Sequence, residues 1–162
     1  MQREIVGRPM EILLVEDSLT SARLTMGALK GGGIEHRLTW LSNGVDAMQF
    51  LQQQGKFVRA PRPDLVLLDL MLPGLDGREV LAGMRADPAL REIPVVIMTG
   101  TMAEPADDGA RALDVQGFLT KPVDLKKFLG LVERLKDFWK ADMILPLAGQ
   151  ADEAPAPSYE SL

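Results

Sequence analysis

Two hydrophobic rhythms alternate along the chain. Short, nearly continuous apolar runs rich in Val, Ile and Leu stand at EILLVE (11–16), HRLTWL (36–41), DLVLLD (64–69), PVVIMT (94–99) and GFLT (117–120). Runs with so little polar alternation suit parallel strands covered on both faces. Between them lie longer stretches whose apolar residues recur three or four apart, the spacing of one helix face. The first carries Leu19, Ala22, Met26 and Leu29 and stops at Gly31-Gly32-Gly33, where glycine suits a helix C-terminus. Asn43-Gly44 turns the chain into a second helix through Ala47, Met48 and Leu51, and a third spans about 78 to 85. A fourth, weakened by Gly109, covers about 105 to 113. The last is the clearest, with Leu125, Phe128, Leu129, Val132, Leu135 and Trp139 on one face.

Five strands alternating with five helices predict an α/β fold with right-handed crossovers and an open, doubly wound parallel sheet. In such sheets ligands sit beyond the carboxyl ends of the strands. Reading only those ends gives Glu16-Asp17 after the first run, Asp69 ending the third, Thr99 ending the fourth and Lys121 just after the fifth. In a parallel sheet all of them open onto one edge.

Three carboxylates gathered there repel one another. Two unit charges about 4 Å apart at an effective dielectric near 20 interact by roughly 4 kcal/mol, so a cation must offset them or some must hold protons. An oxygen-rich set without Cys or clustered His favours a hard ion, and Mg²⁺ takes one or two carboxylates together with waters and a phosphate oxygen. Lys121 adds an ammonium and Thr99 a hydroxyl. An acid nucleophile, a divalent ion, an ammonium and a hydroxyl together are what a transferring phosphoryl group needs, because its transition state spreads charge over the equatorial oxygens.

The sequence resembles a response-regulator receiver domain: LLVED supplies the acid pair, LLDLMLPGLDG the phosphorylated aspartate and its loop, VVIMTG the hydroxyl strand and GFLTKPV the lysine. The details EDSLTSARLT, RPDLVLLDL, ADPALREIPVV and FWKADMILP are most similar to single-domain regulators paired with bacterial and cyanobacterial phytochromes. The resemblance implies a five-stranded flavodoxin-like sheet of strand order 2-1-3-4-5. It also implies that Asp69 takes a phosphoryl group from a phosphohistidine of a sensor histidine kinase, that Asp17, Asp69 and the Met71 carbonyl bind Mg²⁺, and that Glu16 acts mainly through water. Lys121, aimed by a cis bond to Pro122, would pair with a phosphoryl oxygen. Thr99 would reach another, and Phe118 would be the switch aromatic behind it. Phe118 has no hydroxyl, so its switching would rest on packing.

The expected organisation is a short extension at 1–9, a receiver domain at 10–142 and a tail at 143–162 whose Ala, Pro and acid content predicts disorder from about residue 147. At 162 residues the chain suits one domain. The net charge of −5 disfavours nonspecific attraction to nucleic acid or an anionic membrane. With no cysteine, disulfide and thiolate chemistry are excluded. No signal-like or membrane-length apolar run is found, which makes a cytoplasmic location the default.

Two rival functions are weighed. A phosphatase of the haloacid-dehalogenase type needs a second acid two residues beyond its nucleophile, where Met71 stands. A pseudo-receiver, an interaction domain that never carries phosphate, would not need the full set of site residues found here. His36, the single histidine, starts a strand away from the acids and reads as a surface or edge residue. Leu131 and Phe138, continued by Met143 and Ile144, form a second apolar line. It suits either core packing or a homodimer seam.

Overall fold

The computed structural model describes residues 8–31, 35–100, 114–136 and 139. Strand β1 (Met10–Val15) leads into helix α1 (Leu19–Gly31), then β2 (His36–Leu41), α2 (Gly44–Gln52) and a 3₁₀ turn at Gly55–Phe57. Next come β3 (Leu65–Asp69), α3 (Gly77–Ala86), β4 (Val95–Thr99), β5 (Gly117–Thr120) and α4 (Leu125–Leu135). The strands pair in parallel as one sheet of order β2-β1-β3-β4-β5.

The near-continuous apolar runs have the cause inferred for them. Met10, Ile12, Leu14, Leu65, Leu67, Val96, Met98 and Leu119 face α1 and α4 in one buried cluster. Their neighbours Leu13, Val15, Val66, Leu68, Val95 and Ile97 face α2 and α3 in the other. Successive strand residues point to opposite faces, so strands covered on both sides can carry no regular polar positions. Each Val, Leu or Ile fully removed from water contributes about 1.5–3 kcal/mol, and every residue of β3 is buried. At the sheet edge β2 is only half-buried, and His36 opens it.

Short polar residues start the helices. The Ser18 hydroxyl accepts from the Ser21 N–H at 3.2 Å, and Asn43 accepts from the Asp46 N–H at 2.8 Å. Asp76 and Glu79 form a reciprocal capping box at α3, and Asp124 accepts from the Lys126 N–H. Each cap satisfies an amide that the helix itself leaves without a partner.

Of the two readings of the second apolar line, core packing holds at Leu131. Leu131 is 4% exposed and belongs to the core beside Phe128, Leu129, Val132 and Leu135. It seats against β5 at Gly117, where an added Cβ would lie 2.7 Å from a Leu131 methyl carbon. Trp139 packs on the same cluster and donates its indole N–H to the Asp64 carbonyl at 2.6 Å. Phe138, Met143, Ile144, the helix expected over 105–113 and the tail lie outside the described residues. Of the N-terminal extension, Arg8 is described and forms a two-pronged pair with Asp64 at 2.8 and 2.9 Å. No described helix is long and apolar enough to cross a membrane.

Candidate functional site

All the strands run the same way, so their ends deliver side chains to one rim. Glu16 and Asp17 follow β1, and Asp69 closes β3, the neighbouring strand. Carboxylate oxygens of these three residues lie within 4.8 Å of one another. Glu16 has no exposed surface and Asp69 is 6% exposed, whereas Asp17 is open to solvent. The cluster therefore has a buried floor and one acid at its mouth.

Lys121, one residue past β5, reaches across β4 into this cluster. Its Nζ donates to Asp69 Oδ2 at 2.7 Å and stands 2.6 Å from Glu16 Oε1. The second approach is an ion pair with angles poor for a hydrogen bond, and among the described residues Glu16 Oε1 is buried without one. The other Glu16 oxygen accepts from the Ser18 N–H at 3.0 Å. The Lys121–Pro122 peptide is cis, as the resemblance implied.

The titration of these groups follows from that geometry. Burial pushes the Glu16 carboxyl above its usual range, against the pull of Lys121 and the Ser18 amide. Burial also pulls the Lys121 ammonium down, but contact with Asp69 and Glu16 outweighs it and leaves the group above the ordinary lysine value. The proton on Lys121 is thus held by the acids it separates.

The loop after Asp69 is built to stay close. Met71 donates its N–H to Asp69 Oδ1 at 2.9 Å, while its side chain is 78% exposed, so the contact of this residue with the site runs through its backbone. The loop returns at Gly77, whose N–H donates to the Leu70 carbonyl. A Cβ at Gly77 would sit 2.5 Å from the Asp69 carbonyl oxygen, so only glycine permits this approach.

Thr99 ends β4 between Asp69 and Lys121, and its carbonyl accepts the Lys121 N–H at 2.7 Å. Phe118 lies beside Ile97 in β5 and packs, half-buried, against the cluster on the α2 and α3 side. His36 lies at the amino end of β2, in a groove with Arg23, Lys30 and Glu35, at the opposite end of the strands from the acids. Sequence reading did not find Trp40, whose indole N–H donates to the Glu16 carbonyl at 2.6 Å. A tryptophan near a strand end, with one polar atom to satisfy, was the available signal.

Charge decides what fits. Three carboxylates and one ammonium leave two negative charges uncompensated when all three acids are ionised. The donor set is entirely oxygen, with the solvent-facing Asp17 at the entrance, and a hard divalent cation matches both the charge and the ligands.

The sequence profile of the response regulator receiver domain matches residues 12–133. Response regulator Rcp1 of Synechocystis sp. is 45% identical over 140 residues, covering 86% of this chain and 95% of that protein. The Mn²⁺-bound crystal structure of Rcp1 aligns with a TM-score of 0.65, over 86% of this chain and 100% of that one. The phosphorylated cyanobacterial phytochrome response regulator RcpA gives 0.66 at 37% identity, over 86% and 99% of the two chains. The bacteriophytochrome response regulator AtBRR gives 0.74 at 33% identity, over 82% and 96%.

Proposed function

The chain belongs to the response-regulator receiver family, and from that premise we propose that Asp69 is the phosphoacceptor of a two-component signalling switch. An Asp69 carboxylate oxygen attacks phosphorus, the P–N bond of a kinase phosphohistidine breaks, and the imidazole leaves with its electron pair. The protein thereby promotes its own phosphorylation and, with water in place of the carboxylate, its dephosphorylation. The observation that carries this reading is the Lys121 ammonium lodged between Asp69 and Glu16 at 2.7 and 2.6 Å. A cation so placed stands ready for the negative charge that a phosphoryl group brings.

Asp17, Asp69 and the Met71 carbonyl would hold Mg²⁺, with Glu16 acting through water. The Mn²⁺ in Rcp1 and the all-oxygen acid set here support that assignment. When bound, the ion neutralises the acids and the phosphoryl oxygens together. Thr99 donates its hydroxyl to a phosphoryl oxygen, and Phe118 follows it by repacking between two arrangements that modification re-weights.

The likeness to Rcp1, RcpA and AtBRR supports a phytochrome-type sensor kinase as the donor. Output runs through protein contacts or onward phosphate transfer. A homodimer forms through the chain following α4, where Phe138, Met143 and Ile144 continue the apolar line. The receiver occupies 10–142, and the protein works in the cytoplasm without nucleic acid or membrane.

The test is stoichiometry. With Mg²⁺ and acetyl phosphate the protein should incorporate one hydroxylamine-labile phosphoryl group and then stop. Sustained turnover of p-nitrophenyl phosphate would instead mark a phosphatase.

A further inference from the structure

The end of β2 and the start of α2 touch the loops that follow β1 and β3. Trp40 donates its indole N–H to the Glu16 carbonyl at 2.6 Å, and the Leu41 carbonyl accepts the Glu16 N–H at 3.0 Å. Both backbone groups of Glu16 are thus fixed by β2, while its side chain turns to Lys121. Three residues on, buried Gly44 opens α2, and a Cβ added there would stand 1.9 Å from the Leu75 carbonyl oxygen. The loop that follows Asp69 therefore rests directly on the start of α2, where no side chain fits. Asn43, accepting the Asp46 N–H, holds that start in place.

We propose that the Trp40–Gly44 segment is a positioning element for the phosphoacceptor site: Trp40 sets the loop bearing Glu16 and Asp17, and Gly44 sets the loop bearing Met71. Neither residue touches a reacting atom. Their effect passes through the metal, since Mg²⁺ requires near-ideal octahedral geometry and responds to small ligand displacements, as outer contacts of metal ligands generally do. The inference rests on the metal site assigned under the proposed function. It adds that the segment joining β2 to α2, which supplies no ligand itself, controls affinity for the ion.

The experiment measures Mg²⁺ binding by calorimetry in the full-length wild type, Trp40→Phe and Gly44→Ala, with Leu29→Ala as a destabilised core variant. Amide exchange at Ser18 and Met71 is followed in the metal-free proteins. Both site variants should bind Mg²⁺ about 10-fold more weakly, with faster exchange at Ser18 for Trp40→Phe and at Met71 for Gly44→Ala. Leu29→Ala should keep wild-type affinity. Trp40→Phe preserves most of the ring's bulk and carries the test alone should Gly44→Ala fail to fold. Wild-type affinity and exchange in the site variants overturn the proposal by itself. A wild type that takes no Mg²⁺ overturns it together with the metal site beneath it.

Discussion

Lys121 Nζ lies 2.7 Å from Asp69 Oδ2 and 2.6 Å from Glu16 Oε1, so one ammonium separates two buried carboxylates at the rim of the sheet. It keeps the acids compatible in the unphosphorylated protein, and under the proposed function it would turn to a phosphoryl oxygen afterwards. Stability and reactivity therefore share a side chain.

Replacing Lys121 with Met leaves Glu16 and Asp69 facing each other without a cation. Breaking a buried pair in this way costs about 3–5 kcal/mol, read as a lower urea midpoint, and added Mg²⁺ should restore part of it. The sign with pH follows from the raised folded value of Lys121. The lysine's contribution is complete below the ordinary value of 10.5 and fades as pH climbs through the folded one. The gap between wild type and Lys121→Met should narrow on the alkaline side only in strong alkali, and on the acid side as Glu16, whose value burial raises, takes up a proton. A gap already closed at neutral pH contradicts the pairing.

Mg²⁺ should stabilise the folded chain with the logarithm of its concentration over the dissociation constant, by about 2.7 kcal/mol at 100 times that constant. Thermal unfolding with Mg²⁺ and then with chelator reads this directly. Asp17→Asn should abolish most of the shift, because Asp17 is the exposed acid at the mouth of the cluster. An unchanged shift would place the ion elsewhere.

Thr99→Ala should fold normally, since the side chain ends a strand and is only half-buried, yet take phosphate from acetyl phosphate about 100-fold more slowly, as for the loss of one donor to a developing oxyanion. Rapid-quench labelling checks the rate, and a wild-type rate removes Thr99 from the site.

Phe138→Glu should lower the apparent mass in sedimentation if the chain after α4 joins two copies. Trp139 serves a different purpose, being tied to the Asp64 carbonyl. Trp139→Phe should cost about 0.5–1.5 kcal/mol in denaturant and leave the sedimentation unchanged.

Much of this architecture can be read from the chain because the physics is local. β1 beyond Glu11, β3 and β4 are apolar up to their carboxyl ends, being covered on both faces, and those ends are marked by acids and a hydroxyl that a core would not otherwise tolerate. What stayed hidden depends on close approach. The pattern leaves Leu131 open between core and a homodimer seam, and it is core because Gly117 in β5 leaves room for it. Arg85, in the last turn of α3, donates to the Arg91, Ile93 and Asp114 carbonyls and to the Gln116 amide oxygen, contacts that helix periodicity does not report. Burial pulls its guanidinium below the usual value. The Trp40 bond to the Glu16 carbonyl joins residues 24 apart, and no periodicity reports it. Gly55–Phe57, a 3₁₀ turn stacking Phe57 edge-on against Phe50 at 5.5 Å, likewise has no signature in the pattern.

Asp69 as the receiver of the phosphoryl group is tested most directly by intact-mass spectrometry of wild type and Asp69→Asn after incubation with Mg²⁺ and acetyl phosphate. The wild type should gain one phosphoryl group and the variant none. The same gain on Asp69→Asn would contradict that role and move the acceptor to another residue.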